Sequence, residues 1–255
     1  MIDYLPDLLI IIYSGLLGLL IASFLNVVIY RLPQGETIVQ GRSHCMSCGH
    51  ALGALDLLPV FSYLLLGRRC RYCREPISSR YIKIELAGGV FFALAAWVNR
   101  PYTNLSSALS LMVICALFCL LLVDSMIRFD GHKLAPPAII FVSLILAAFP
   151  LVQSLAANTL DGVEIANRLS GLVLGLLTIP LLNSLQPAGN ARLPLVLALP
   201  VAGLWLGLPL MLLVFLPSAA AIWFLKKQHL VPLFSCALFL LVALLSAVIF
   251  KSNTL

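Results

Sequence analysis

Charged residues are scarce in this chain. Only 10% of its 255 residues are Asp, Glu, Lys or Arg, whereas 62% are hydrophobic. A soluble domain normally has about one quarter charged and close to half apolar residues, so the composition excludes a soluble globular protein. The chain also lacks the glycine-rich motif with which soluble enzymes bind nucleotides. We therefore expect an integral membrane protein.

Long apolar runs account for most of this composition. A helix needs about 20 mostly apolar residues to cross the hydrocarbon core of a bilayer. Eight runs come near this length, at residues 8–30, 84–98, 105–123, 134–156, 169–185, 193–207, 208–225 and 231–250. They predict an all-α polytopic membrane protein with about eight transmembrane helices. The first run has neither a basic leader nor a small-residue cleavage site, so we expect it to remain as a helix.

Basic residues are distributed unevenly along the chain. Eight of the sixteen lie between the first two predicted spans, at Arg31, Arg42, Arg68, Arg69, Arg71, Arg74, Arg80 and Lys83. Because Lys and Arg mark the cytoplasmic side of a membrane, this loop is predicted to be cytoplasmic. Alternate crossings place Arg128, Arg192 and Lys226 inside, Asp161 and Glu164 outside, and both termini outside. The net charge of +6 then predicts contact with anionic lipid and not with nucleic acid.

Two Cys-x-x-Cys pairs lie in the polar segment 31–83. Cys45 and Cys48 are separated by 21 residues from Cys70 and Cys73, which is the spacing of a zinc ribbon. Four thiolates would close a tetrahedral site and leave no position open for catalysis, so we predict a structural zinc site. The alternatives are disulfides, which a reducing cytoplasm disfavours, and unliganded thiols.

The remaining cysteines and the loop histidines are predicted to stay outside this site. Cys115, Cys119 and Cys236 lie in apolar runs and are expected to pack as small residues. His44 and His50 are expected at the surface. Arg69 and Arg71 flank Cys70 and are expected to offset the charge of the thiolates.

The chain is thus expected to have three parts. Residues 1–30 form the first transmembrane helix, residues 31–83 a cytoplasmic zinc-binding loop domain, and residues 84–255 a transmembrane helical bundle. A loop of this size has too little core to fold alone, and zinc binding would contribute folding free energy on the order of 10 kcal/mol.

Four segments carry a resemblance to a known family. They are ASFLNVVIYRLP (22–33), RSHCMSC (42–48), DLLPVFSYLLLGRRCRYC (56–73) and ISSRYIKIELAGG (77–89). In order and spacing they resemble the N-terminal half of the prepilin leader peptidases, whose members are polytopic enzymes of the bacterial cytoplasmic membrane. Members cut a short basic leader from type IV prepilins or type II secretion pseudopilins, after a glycine on the cytoplasmic side. They then methylate the new N-terminal amine with S-adenosylmethionine.

The resemblance implies a membrane enzyme with two activities. These are an aspartic endopeptidase and an N-methyltransferase that uses S-adenosylmethionine. It also implies a prepilin or pseudopilin as the substrate and the inner membrane as the location, with the cysteine loop on the cytoplasmic side.

The peptidase site of the family has two aspartates, because one carboxyl can activate water while the other protonates the scissile carbonyl. Asp124 matches the first and ends an apolar run that is otherwise free of carboxylates. The alternative is an ordinary interfacial end-cap. The family's Gly-x-Gly-Asp-x-Lys motif is best matched by AGNARL (188–193), where Asn190 replaces the aspartate and cannot titrate. Asp130 is the other carboxylate that could complete the pair.

The methyltransferase site is associated with the stretch IELAGG. By the resemblance, Glu85 and Gly89 match a Val-Glu-Leu-Leu-Thr-Gly segment of the family and are predicted to bind the cofactor. The alternative is that the small residues AGG pack one membrane helix on another.

Two other functions remain open at this point. The asparagine at position 190 is compatible with a peptidase-defective homologue that retains methylation or prepilin binding. A membrane scaffold that keeps the zinc loop to bind partners would need no enzyme activity. The N-terminal resemblance favours the two functions that include prepilin handling.

The predicted topology is tested by tags on two loops. A reporter inserted at Gly53 should be cytoplasmic and one inserted at Asn158 should be outside, because the Lys and Arg residues cluster on the side of Gly53. Accessibility of each tag in intact cells measures the sidedness. Two tags on the same side would contradict the count of spans.

Overall fold

The computed structural model describes residues 5–100, 105–130 and 162–184, with a few isolated positions elsewhere. Within these ranges the longer helices are α1 (Leu5–Arg31), α2 (Phe61–Leu65), α3 (Ser79–Val98), α4 (Leu105–Phe129) and α5 (Gly162–Ser184), and 3-10 helices cover Leu32–Gln34 and Ala54–Leu57. The described residues form no β-strand beyond two isolated bridges. The all-α class is therefore confirmed.

Among the described residues, three helices are long and apolar enough to cross a membrane. These spans are Leu5–Gln34, Ser79–Val98 and Ala108–Ile127, and they contain or overlap the first three predicted runs. The chain is a membrane protein. α5 begins at Gly162 and not at Leu169, because backbone hydrogen bonding continues through the polar residues Asn167 and Arg168. The predicted spans 134–156, 193–207, 208–225 and 231–250 lie outside the described residues, and the count of eight stays a prediction.

The chain divides into two compact units, Met1–Tyr102 and Thr103–Leu255. α1, α2 and α3 belong to the first, and α4 and α5 to the second. The predicted division at residues 30 and 83 stays a prediction. In the first unit α3 packs directly on α1.

The packing of α1 on α3 depends on glycine. A Cβ added to Gly18 would lie 2.5 Å from the carbonyl oxygen of Gly88, and one added to Gly88 would lie 2.5 Å from the Cβ of Ala22. A Cβ on Gly89 would lie 2.6 Å from the side chain of Leu19. The two backbones therefore approach more closely than any side chain at these positions would allow. For Gly89 the structure favours the packing alternative, and its contact with a cofactor stays a prediction.

The outer face of α1 has the opposite character. Large apolar side chains such as Leu8, Ile12, Leu16 and Leu20 are about half exposed. Small residues face the protein and large ones face outward, which suits a helix whose outer surface contacts lipid tails.

Local sequence fixes both ends of the loop between α1 and α3. After Arg31, Pro33 lies in the 3-10 helix, and Gly35 ends that helix with a φ of 70°. Before α3, the Ser78 hydroxyl accepts a hydrogen bond from the N–H of Arg80, a typical N-cap. The loop therefore starts and stops at defined points on two helices that are packed together.

The substitution Gly88→Ala tests the helix crossing. The added methyl group has no space beside Ala22 and the Gly18 carbonyl, so we expect a loss of about 1–3 kcal/mol in the free energy of unfolding. Thermal unfolding of the purified protein in detergent measures it. Gly162→Ala is the matched control, because a Cβ there meets no atom of the described residues within 4 Å. Equal unfolding midpoints for the two variants would contradict the tight crossing.

Candidate metal and ligand site

The two Cys-x-x-Cys segments fold as similar turns, here called the knuckles. In the first, the N–H of Gly49 donates to the carbonyl of Cys45 (2.8 Å), and in the second the N–H of Arg74 donates to the carbonyl of Cys70 (3.1 Å). Gly49 and Arg74 have φ values of 70° and 62°. This left-handed conformation suits glycine and strains an arginine, so the same tight turn is imposed on both segments.

The knuckles bring four sulfur atoms together. The Sγ atoms of Cys45, Cys48, Cys70 and Cys73 all lie within 4.8 Å of one another, and those of Cys45 and Cys73 are 3.8 Å apart. Four thiolates at the usual zinc–sulfur distance in a tetrahedron would have sulfurs about 3.8 Å apart. The cluster therefore has the composition and the spacing of a metal site that is closed by four cysteines.

The pKa values within the cluster move in opposite directions. The backbone N–H groups of Cys48 and Ser47 hydrogen-bond the sulfur of Cys45 and lower the pKa of its thiol to about 6. At Cys73, the backbone of Glu75 lowers the pKa, but desolvation and the neighbouring thiols outweigh it and raise the pKa to about 12. Crowded thiols resist ionising together, and a bound cation would remove this repulsion.

An ion pair braces the second knuckle. Nε of Arg71 donates to Oδ1 of Asp56 (2.7 Å), and the N–H of Gly53 donates to Oδ2 (3.1 Å). Burial raises the pKa of Asp56, but these hydrogen bonds and the charge of Arg71 outweigh it and hold the pKa below its usual value. Arg71, which was expected to offset the charge of the thiolates, forms its ion pair with Asp56. Arg69 donates to the carbonyl of Arg74.

Among the described residues, neither loop histidine belongs to the four-cysteine cluster. Both are exposed, and the ring of His50 stacks on Tyr72 with centroids 3.6 Å apart. Cys115 is buried in α4 and Cys119 is half-buried, whereas Cys236 lies outside the described residues.

Arg31 anchors the start of the loop, a role that sequence analysis missed. Arg31 is only 8% exposed. Its guanidinium donates to the carbonyls of Thr37, Gln40 and Arg42 at 3.2–3.3 Å. The sequence indicated only that the charge of Arg31 helps to mark the cytoplasmic side of the membrane. The available signal was its place at the end of an apolar run, directly before Leu-Pro.

A cavity of about 400 Å³, here called the loop cavity, lies between the knuckles and the adjoining ends of α1 and α3. Asn26, Tyr63, Cys70 and Glu85 are among the residues that line it. Its volume falls in the range of small-molecule sites, about 300–1,000 Å³. Glu85 lines the cavity, whereas Gly89 packs on α1.

The predicted peptidase residues lie in the second unit. Asp124 is 2% exposed and lies inside α4, which continues to Phe129. Such burial is unlike an ordinary interfacial end-cap. Asp130 is exposed in the turn that follows, and Asn190 lies outside the described residues. The pairing of Asp124 with either residue stays a prediction.

Comparison with known proteins places these features in a family. Residues 16–99 match the family Bacterial Peptidase A24 N-terminal domain. A prepilin leader peptidase/N-methyltransferase of Myxococcus xanthus is 47% identical over 81 residues, or 32% of this chain and 24% of that protein. The enzyme of the same name from Burkholderia pseudomallei is 33% identical over 239 residues, or 82% of this chain and 74% of that protein. For the Klebsiella pneumoniae enzyme the identity is 30% over 218 residues, or 79% and 89%.

The chain belongs to the prepilin leader peptidase/N-methyltransferase family. No solved structure matches it. The N-terminal match covers α3 and both knuckles as well as most of α1, so the cysteine cluster and the loop cavity lie inside the shared domain.

Proposed function

We propose that this chain removes the leader peptide from type IV prepilins or type II secretion pseudopilins and methylates the new N-terminal amine. The observation that carries this proposal is the identity of 33% over 239 residues with an enzyme of that name. Both reactions take place at the cytoplasmic face of the bacterial inner membrane. The eight basic residues between the first two apolar runs, residues 8–30 and 84–98, support this orientation of the cysteine loop.

The four-cysteine cluster holds a zinc ion in this proposal. Its support is the all-thiolate donor set, the mutual distances of no more than 4.8 Å and the symmetry of the two knuckles. Four protein ligands leave no coordination site for water or substrate, so the metal has a structural role. It holds the two knuckles together and so fixes one wall of the loop cavity, which Cys45 and Cys70 line.

The loop cavity is the proposed site of methyl transfer. S-adenosylmethionine, when bound, supplies an electrophilic methyl group on sulfur for the amine. Tyr30 and Tyr63 offer aromatic surface to such a ligand, and Glu85 offers a carboxylate. Gly89 serves this site indirectly, because it sets the distance between α1 and α3.

Peptide cleavage is assigned to the second unit. Asp124 is the first acid in this proposal, supported by its burial in a helix that contains no other carboxylate. The second position falls on Asn190, with Asp130 as the other candidate. A chain that methylates without cleaving is the alternative outcome, and the cleavage assay below separates the two.

Zinc content tests the metal site. Purified protein should contain about one zinc per chain, and Cys45→Ser should lose it, because three thiolates hold the ion far more weakly than four. The unfolding midpoint of this variant should fall as well. Metal analysis after dialysis measures the content.

Cys119→Ser is the matched control, since this half-buried cysteine in α4 lies outside the cluster. Full zinc occupancy in a Cys45→Ser/Cys48→Ser double variant would disprove the assignment of the ion to the knuckles.

Leader cleavage tests the acid pair. With Asn190 in the second position, the wild type should cleave a co-expressed prepilin on the order of a thousandfold more slowly than a chain with both acids, because a single acid cannot both activate water and protonate the carbonyl. Asn190→Asp should increase cleavage by completing the pair, and the gain should disappear in the Asp124→Asn background. A gel shift of the prepilin measures each reaction.

Asp7→Asn, a change in the first turn of α1, is the control and should cleave as the wild type does. If cleavage is strong in the wild type, depends on Asp124 and Asp130, and is indifferent to Asn190→Ala, the second carboxyl is Asp130 and the alignment at Asn190 is wrong.

A further inference from the structure

Glu85 is a buried acid beside the loop cavity. Glu85 is only 8% exposed, and it belongs to a helix that is long and apolar enough to cross the membrane. It lines the loop cavity together with Asn26 of α1 and Tyr63 of α2. A carboxylate in such a position is costly unless hydrogen bonds or a cation compensate for the lost water.

Only one of its two oxygens has a partner in the described part of the chain. Oε2 accepts a hydrogen bond of 2.8 Å from the N–H of Val60. Val60 has a φ of 64°, a strained conformation for a β-branched residue. This bond helps to hold Val60 at the start of α2. Oε1 accepts no hydrogen bond from any described residue, and no described Lys, Arg or His forms an ion pair with Glu85.

The two arginines that line the cavity have other partners, and His44, which also lines it, lies 3.4 Å from the Arg42 carbonyl through Nδ1. Arg31 donates to three loop carbonyls and lies 3.9 Å from Glu36. Arg71 is paired with Asp56. Neither guanidinium forms an ion pair with Glu85 to compensate its charge, so a cationic group of a ligand is the natural partner for Oε1.

We propose that the Glu85 carboxylate binds a primary ammonium group of a ligand in the loop cavity. This inference rests on the proposed methyl transfer and adds the chemistry of recognition to it. An ammonium group donates three hydrogen bonds and carries the complementary charge. Two reactants bear one: the N-terminal amine that accepts the methyl group, and the amino-acid portion of the methyl donor.

Binding measurements on Glu85→Gln test the proposal. The amide oxygen of glutamine can still accept from the Val60 N–H, so α2 keeps its position while the negative charge is lost. The probes are a synthetic peptide with the mature N-terminus of the co-expressed prepilin, the same peptide acetylated at its amine, and S-adenosylmethionine. Zinc-loaded full-length protein in detergent is titrated with each.

If the peptide amine is the ligand group, Glu85→Gln weakens binding of the free-amine peptide about 30-fold or more. It should leave binding of the acetylated peptide unchanged, because that peptide has no ammonium group to lose a partner. If the ammonium is that of the donor, the loss appears with S-adenosylmethionine and not with either peptide. Glu36→Gln is the matched control, because Glu36 is half-exposed and does not line the cavity.

Unchanged binding of all three probes in Glu85→Gln would overturn the proposal, as would a wild type that binds none of them. If only Glu85→Ala weakens binding, Glu85 positions α2 through Val60 and binds no ammonium. The proposed function is judged separately by methylation of the free-amine peptide by the wild type. If Glu85→Gln still methylates the free-amine peptide and binds all three probes as tightly as the wild type does, this inference is rejected and the proposed function is retained.

Discussion

The close approach of α1 and α3 at Gly18 and Gly88 is the constraint on which the first unit depends. In lipid no hydrophobic force drives helices together, so contact between backbones must supply the packing. Any side chain at these two positions would push the helices apart. Because the loop leaves α1 and enters α3 on one side of this crossing, the packing of the two helices sets the distance between the ends of the loop. The loop therefore closes between fixed points at a smaller entropic cost.

Buried polar groups then attach the loop to the helices. Arg31 at the end of α1 donates to three carbonyls of the first part of the loop, and Glu85 on α3 accepts from Val60 near its middle. Asn26 on α1 donates to the carbonyl of Tyr81 at the start of α3. Each group satisfies a backbone partner that water would otherwise have to reach. The cavity lies among these anchors, so its shape depends on contacts made by both helices and by the four-cysteine cluster.

The sequence predicted those features that depend on local pattern. Apolar length identified α1, α3 and α4, and the Cys-x-x-Cys spacing identified the four sulfurs that the knuckles bring together. Features that depend on distant partners could not be read in this way. Arg71 forms an ion pair with Asp56, which lies fifteen positions earlier in the chain. The residues next to Arg71 in the sequence do not distinguish this pairing from one with the adjacent thiolates. α5, like α1 and α3, begins before its apolar run, because helical hydrogen bonds extend into the residues that precede the run.

The stretch IELAGG places the glycines of the helix crossing and a carboxylate of the loop cavity on one face of α3. Glu85 lies one turn before Gly88 and Gly89, so all three fall on the side that faces α1 and the cavity. The glycines set how deeply α3 sits against α1, and that depth sets where the carboxylate meets the cavity. A larger residue at Gly89 would therefore displace Glu85 from the cavity without touching any ligand. The role in methyl transfer that we propose for Gly89 therefore requires no contact with a cofactor, because the helix crossing and the carboxylate are parts of the same geometry.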